Sequence, residues 1–202
     1  MPSFEESGLQ FVFGADWWVK KFDEHRYYKW LSGSGLKGVD FIGINAQQQL
    51  ILMEVKNYRR RNSKQSPEHL VPDVDHLSQA FVEKVMDSRR VIRTVVRYLN
   101  RKWWYRPALR LSKWLAPSVR WRWDGYFWQL ADQLLSDASQ RVVLVLWLEE
   151  AALVKAQRGS IRSALEASIR QQLADEYFQV KVLTKGQSTI EGVEVQFSSL
   201  PS

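Results

Sequence analysis

Two short apolar segments, Val39–Ile44 and Leu50–Val55, stand on either side of Asn45-Ala46-Gln47-Gln48-Gln49. That pattern predicts two strands joined by a hairpin loop. A third segment, Val142–Leu148, is seven consecutive apolar residues. It suits a buried strand and falls far short of the ~20 residues that span a bilayer. From Asp73 onward, Val74, Leu77, Phe81, Val85, Ile92, Val95 and Leu99 hold one helical face. A short helix over Tyr126–Ser136, a further helix through Ile161, Leu165, Ile169 and Leu173, and two last strands, Val180–Leu183 and Val193–Phe197, complete the pattern. The last two strands are expected to be joined by a turn holding Gly186 and Gly192. At the N-terminus, Phe4, Phe11, Ala15, Trp18 and Phe22 recur at helical intervals and predict a first helix over residues 4–23. Gly8 and Gly14 interrupt it, so a helix from Asp16 to Leu31 is the alternative. Ser32-Gly33-Ser34-Gly35 reads as a turn or loop, and Asn57–Pro72 as a long polar loop. The expected class is α/β, one domain over residues 1–202, with no internal repeat.

Composition removes several chemistries. The chain has no cysteine, which excludes disulfides, thiolate zinc sites, iron–sulfur clusters and thiol nucleophiles. His25, His69 and His76 form no close-spaced metal pair. Glu5 and Glu6 take the place of a basic leader before Gly8, so a cytoplasmic location is the expectation. The net charge of +7 points to an anionic partner, nucleic acid or a lipid surface.

The chemistry-bearing pattern is Gly38-Val39-Asp40, thirteen residues, then Glu54-Val55-Lys56. Strand side chains alternate, so Glu54 and Lys56 share a face and Val55 takes the other. If the two strands pair, Asp40 comes beside Glu54. Two close carboxylates repel and favour a divalent cation, and oxygen donors suit Mg²⁺ or Mn²⁺. Lys56 would then orient or deprotonate a water, or stabilise developing negative charge.

This constellation resembles the PD-(D/E)XK nuclease superfamily, with Asp40, Glu54 and Lys56 on its motif positions and Val39 where the motif carries proline. The resemblance implies a restriction-endonuclease-like αβββαβ core and a metal held by Asp40, Glu54 and the backbone carbonyl of Val55. It also implies a glutamate from the first helix, for which Glu5, Glu6 and Glu24 are candidates, and a glutamine on the following helix, matched by Gln79. Position 83 is Glu where the RecB-like subgroup carries tyrosine, so that subgroup is not supported. Symmetric pairing into a homodimer belongs to the same resemblance.

From Ser88 to Trp123 the chain carries eleven Lys/Arg and no Asp or Glu, so the remainder is net −4. Trp103, Trp104, Tyr105, Trp114, Trp121 and Trp123 are interleaved with these cations. A helical insertion over about 100–125, rich in Arg and Trp, is the expected form. Guanidinium groups pair with phosphates and aromatic rings stack on unpaired bases. Arg101, Lys102 and Arg106, together with Arg59, Arg60 and Arg61 just beyond Lys56, are the expected nucleic-acid contacts. The same segment also suits a core subdomain with a solvated exterior, or an anionic membrane interface, with membrane contact the less favoured.

The function expected from these residues is a metal-dependent endonuclease hydrolysing phosphodiester bonds, most readily in DNA. Its rival is an inactive nucleic-acid-binding module on the same fold.

Overall fold

The computed structural model describes residues 1–33, 35–58, 73–112, 123–137, 141–149, 158–173, 178–184 and 190–197. In chain order the elements are β1 (Ser3–Glu6), β2 (Leu9–Phe13), β3 (Trp18–Lys21), α1 (Arg26–Ser32), β4 (Phe41–Ile44), β5 (Leu50–Asn57) and α2 (Val74–Asn100). They are followed by α3 (Tyr105–Ser112), α4 (Asp124–Ser136), β6 (Val142–Glu149), α5 (Arg158–Gln172), β7 (Phe178–Leu183) and β8 (Val193–Phe197). The fold is mixed α/β, with two sheets and five helices among the described residues.

The larger sheet runs β3-β4-β5-β6-β7. β3, β4 and β5 form an antiparallel meander, with Phe41 opposite Met53 and Ile44 opposite Leu50. β6 joins parallel to β5, and β7 parallel to β6. Every residue of β6 is buried, as a strand covered on both faces requires. Alternation sorts the side chains into two cores. Ile42, Leu50, Leu52, Leu144 and Leu146 face α2, α4 and α5. Phe41, Ile51, Met53, Val55, Val145 and Trp147 face the smaller sheet β1-β2-β8 through Leu9, Phe11 and Phe13. Burying both faces of one sheet is what makes its strands read as near-continuous apolar runs.

The expected first helix is absent. Residues 4–23 form the β1–β2 hairpin and β3, and the first helix begins only at Arg26. The alternative start at Asp16 is overturned for the same reason. Leu9, Phe11 and Phe13 are buried at period two, while Gln10 is exposed. Ser7 (φ 53°) and Gly8 (φ 77°) both take positive φ, the backbone of a two-residue type I′ hairpin turn. The aromatic spacing that mimics a helix comes from residues of different strands. The αβββαβ order is thereby changed at its start, since a hairpin stands in place of the leading helix and α1 falls between β3 and β4.

The last two strands are present and go to different sheets: β7 extends the larger sheet, whereas β8 pairs antiparallel with β2, Val195 opposite Phe11. Gly186, in the segment that joins them, lies outside the described residues. The helix from Asp73 is as expected, and Asp73 caps it by accepting from the N–H groups of Asp75 and His76. At ~1.5 Å per residue its 27 residues run ~40 Å. The basic insertion contains α3, and its residues 113–122 lie outside the described residues. No helix among the described residues is long and apolar enough to cross a membrane.

Candidate active site

Asp40 is held in place by the turn that precedes β4. The Gly38 N–H donates to the Tyr28 hydroxyl (2.9 Å), which itself donates to the Leu36 carbonyl (3.1 Å). A Cβ at Gly38 would lie 2.6 Å from the Tyr28 ring and 3.0 Å from Phe22, so the close approach requires glycine. The Val39 N–H donates to Ser88 Oγ at 3.0 Å. A proline at 39, as in the resembled motif, has no N–H and would leave that buried hydroxyl without its donor. The Asp40 carbonyl accepts from Phe22 N–H (2.7 Å), and its carboxylate Oδ2 accepts from Val55 N–H (2.7 Å). Asp40 is thus tied to the residue between Glu54 and Lys56.

Glu54 lies on the face of β5 that looks toward α2 and is 1% exposed. Its Oε1 accepts a hydrogen bond from Lys84 Nζ, on α2, at 2.6 Å and is ion-paired with Lys56 Nζ at 2.7 Å. Its Oε2 is buried and has no hydrogen-bond partner among the described residues. Two ammonium groups on one oxygen and none on the other is an uneven arrangement for a buried carboxylate, whose lone pairs are normally satisfied. Burial, and then the neighbouring charge of Glu54, push the Asp40 carboxyl up to about 7, against the lowering effect of the Val55 N–H.

Glu6 and Asp23 complete the acidic cluster. One carboxylate oxygen from each of Glu6, Asp23 and Asp40 lies within 4.8 Å of the others. Glu6 ends β1 and Asp23 follows β3, so two turns of the chain deliver them. Burial raises the Asp23 carboxyl, and Glu6 adds to the shift. Asp23 Oδ1 is buried without a hydrogen-bond partner among the described residues. Of the three glutamates expected from a first helix, Glu6 is the one that arrives, and it arrives on a strand. Glu5 points outward on β1, and Glu24 is exposed and pairs with Lys21 at 2.8 Å. Lys21 also reaches Glu6 at 3.2 Å.

The structure brings Asp40, Glu54 and Lys56 together and adds Glu6, Asp23 and Lys84. The Val55 side chain packs in the core against the smaller sheet, opposite Glu54, as alternation requires. Gln79 is not brought to the carboxylates; its Nε2 faces Glu83 Oε1 at 3.5 Å on the exposed side of α2. Arg101, Lys102 and Arg106 lie at and beyond the far end of α2. Arg59, Arg60 and Arg61 lie outside the described residues. Beside Lys56 opens a cleft of about 400 Å³, lined among others by Ser7, Asn57, Asp73 and His76. It is wide enough for a small polar group next to the lysine.

Lys84 carried a readable signal. It occurs three residues after Phe81 and four before Ser88, on the helix face that buries both. A lysine at core spacing needs a counter-charge inside. Asp23 carried none, since its place depends on how β3 meets the hairpin. Of the expected metal ligands, the close carboxylate group takes in Asp40 with Glu6 and Asp23 but not Glu54. Such oxygen donors suit a hard divalent cation, and one buried oxygen each of Asp23 and Glu54 has no hydrogen-bond partner among the described residues. No family model matches the chain, and neither a curated protein nor a solved structure matches it.

Proposed function

We propose that the chain is a metal-dependent endonuclease with a restriction-endonuclease-like core, hydrolysing phosphodiester bonds in DNA. The observation that carries this reading is the meeting of Asp40 and Glu54, joined through the Val55 N–H, with Lys56 Nζ at 2.7 Å from Glu54. The antiparallel meander followed by α2 and parallel β6 supports the same reading, because β5 and the turn leading into β4 bring the three residues together. Asp40, Glu54 and the Val55 carbonyl, with Glu6 and Asp23 beside them, are the oxygen donors that would hold Mg²⁺ or Mn²⁺. Such a cation, when bound, supplies Lewis-acid polarisation and lowers the pKa of a water. Lys56 contributes a positive charge at the mouth of the cleft, where it can hold a water or a phosphate oxygen. Lys84 shares the charge of Glu54. Gln79, Arg59, Arg60 and Arg61 remain proposed contacts to the sugar–phosphate backbone.

The test compares wild type with Lys56→Ala on labelled duplex, single-stranded and branched DNA, in Mg²⁺, Mn²⁺ or EDTA. Cleavage should require the metal and fall by about 10²–10⁴-fold in the variant, with binding retained. Salt-sensitive binding without cleavage by the wild type under every condition would replace this reading with the inactive binding module.

A further inference from the structure

Four of the five large apolar side chains that stand exposed among the described residues come from one corner of the molecule. They are Trp30 on α1, and Trp103, Trp104 and Leu111 around α3; the fifth is Met1. Trp103 is 88% exposed and Trp30 60%. Exposed apolar groups of this size, gathered in one region, mark a surface for a partner. Trp30 is continuous with a ladder of other rings, and Trp104 packs edge-on to Tyr105. Trp30 meets Tyr98 (5.3 Å between centroids), and Tyr98 meets Tyr27 (6.4 Å). Cations are laid over the same rings: Lys102 over Tyr98 at 4.8 Å and Arg26 over Tyr27 at 4.9 Å. Arg101, Arg106 and Arg110 are ion-paired with no described residue, so their charge is available to an outside partner.

The arrangement discriminates between anionic partners. A helix that lies on a lipid surface keeps its basic residues and its apolar residues on opposite faces. Here Lys102 lies over Tyr98, the ring that Trp30 meets, and the exposed Trp103 and Trp104 stand in the chain between Lys102 and Arg106, so open ring faces and cations are interleaved. That alternation matches a strand of nucleic acid, whose bases need flat rings and whose phosphates need cations. A closed duplex offers the phosphates but hides the base faces in its own stack.

We infer that this corner is a stacking platform for an unpaired DNA strand, so that the substrate carries a single-stranded arm. The assignment of that arm to a substrate rests on the nuclease reading above. Lys84, at the acidic site, and Asn100, at the end of α2, are sixteen residues apart on one helix, ~24 Å along its axis. At the ~3.4 Å rise of duplex DNA this corresponds to about seven base pairs of paired DNA between the scissile phosphate and the start of the unpaired arm. The substrate class is therefore a junction of paired and unpaired DNA, such as a fork or a flap.

The experiment uses the full chain in EDTA, where binding is read without cleavage. Affinity is measured for an oligothymidine of about 16 nucleotides, the upper end of single-strand site sizes, for a blunt duplex, and for a duplex carrying an unpaired arm. Trp103→Ala should weaken the oligothymidine and the armed duplex by about 5- to 150-fold and leave the blunt duplex unchanged. With Arg101, Lys102, Arg106 and Arg110 on phosphates, log affinity should fall against log salt with a slope of about −3. An equal loss on the blunt duplex overturns the proposal. So does failure to bind oligothymidine together with Trp103-dependent binding to phosphatidylserine vesicles, which would make the corner a lipid anchor. Adding Mg²⁺ separates the two readings. Trp103-dependent binding without any cleavage sinks the nuclease and keeps the platform. Cleavage of all substrates at unchanged rate by Trp103→Ala keeps the nuclease and sinks the platform.

Discussion

Two stretches along α2 treat charge in opposite ways. Near its middle, Lys84 reaches inward and pairs with Glu54, whose Oε1 also pairs with Lys56, in a site where some buried oxygens have no partner among the described residues. Beyond its end, cations and tryptophans face outward. A single long helix thus connects a region whose polar groups are withheld from water to a region whose apolar groups are offered to it. Both arrangements are costly in isolation, the first through desolvation and the second through exposed rings. Costs of that kind, placed at two sites on one element, mark where ligands are expected to act.

The largest stability effect should come from the buttress of the basic end. Tyr105 is fully buried, donates its hydroxyl to the Gly125 carbonyl at 2.8 Å, and packs on Trp123. Tyr105→Ala should lower unfolding free energy by about 3–5 kcal/mol in a urea titration, the loss typical of a large buried ring. A small loss would mean that the platform is held by other contacts. At the acidic site, Glu54→Gln removes the charge that both lysines share. A loss of about 1.5–3 kcal/mol is expected by the same titration, the range for hydrogen bonds to charged groups. A stability gain there would show that the buried carboxylate is kept at a cost to the fold.

The next prediction concerns pH. The Asp40 carboxyl is raised from 3.8 to about 7 in the folded chain. A carboxyl raised by folding binds its proton more tightly in the native state, so its contribution is fully present below about pH 4 and is lost as pH rises through about 7. The metal-free Tm should therefore fall across that window, and Asp40→Asn should flatten the slope. An unchanged slope in Asp40→Asn would place the titration elsewhere. The smallest expected effect is that of Trp103→Ala on stability, within about 0.5 kcal/mol, because the ring is exposed. A larger loss would make Trp103 part of the fold and remove the contrast between the two stretches.

Much of the sheet was legible in the chain. The segments at 39–44, 50–55 and 142–148 are strands because their apolar residues come in short runs that a sheet buries on both faces. Asp40, Glu54 and Lys56 could be read as one site because alternation and a hairpin are local rules. The N-terminal residues misled because Phe4, Phe11, Trp18 and Phe22 match a helical period while serving separate strands. The pairing of β8 with β2, nearly the whole chain apart, follows no local rule.

By itself, the sequence determined the strand runs, the long amphipathic helix, the motif carboxylates and the concentration of positive charge over residues 88–123. Those are properties of neighbouring residues, decided by periodicity and side-chain type. Tertiary structure alone decided that Glu6 and Asp23 would stand by Asp40 and that Lys84 would share Glu54. It also decided which tryptophans are core, as Trp17, Trp128 and Trp147 are, and which face solvent, as Trp30 and Trp103 do. The physical reason is that burial and charge pairing are set by which surfaces meet across the fold. That meeting depends on sheet pairing and helix docking between segments far apart in the chain, where residue type leaves many partners possible and packing selects one.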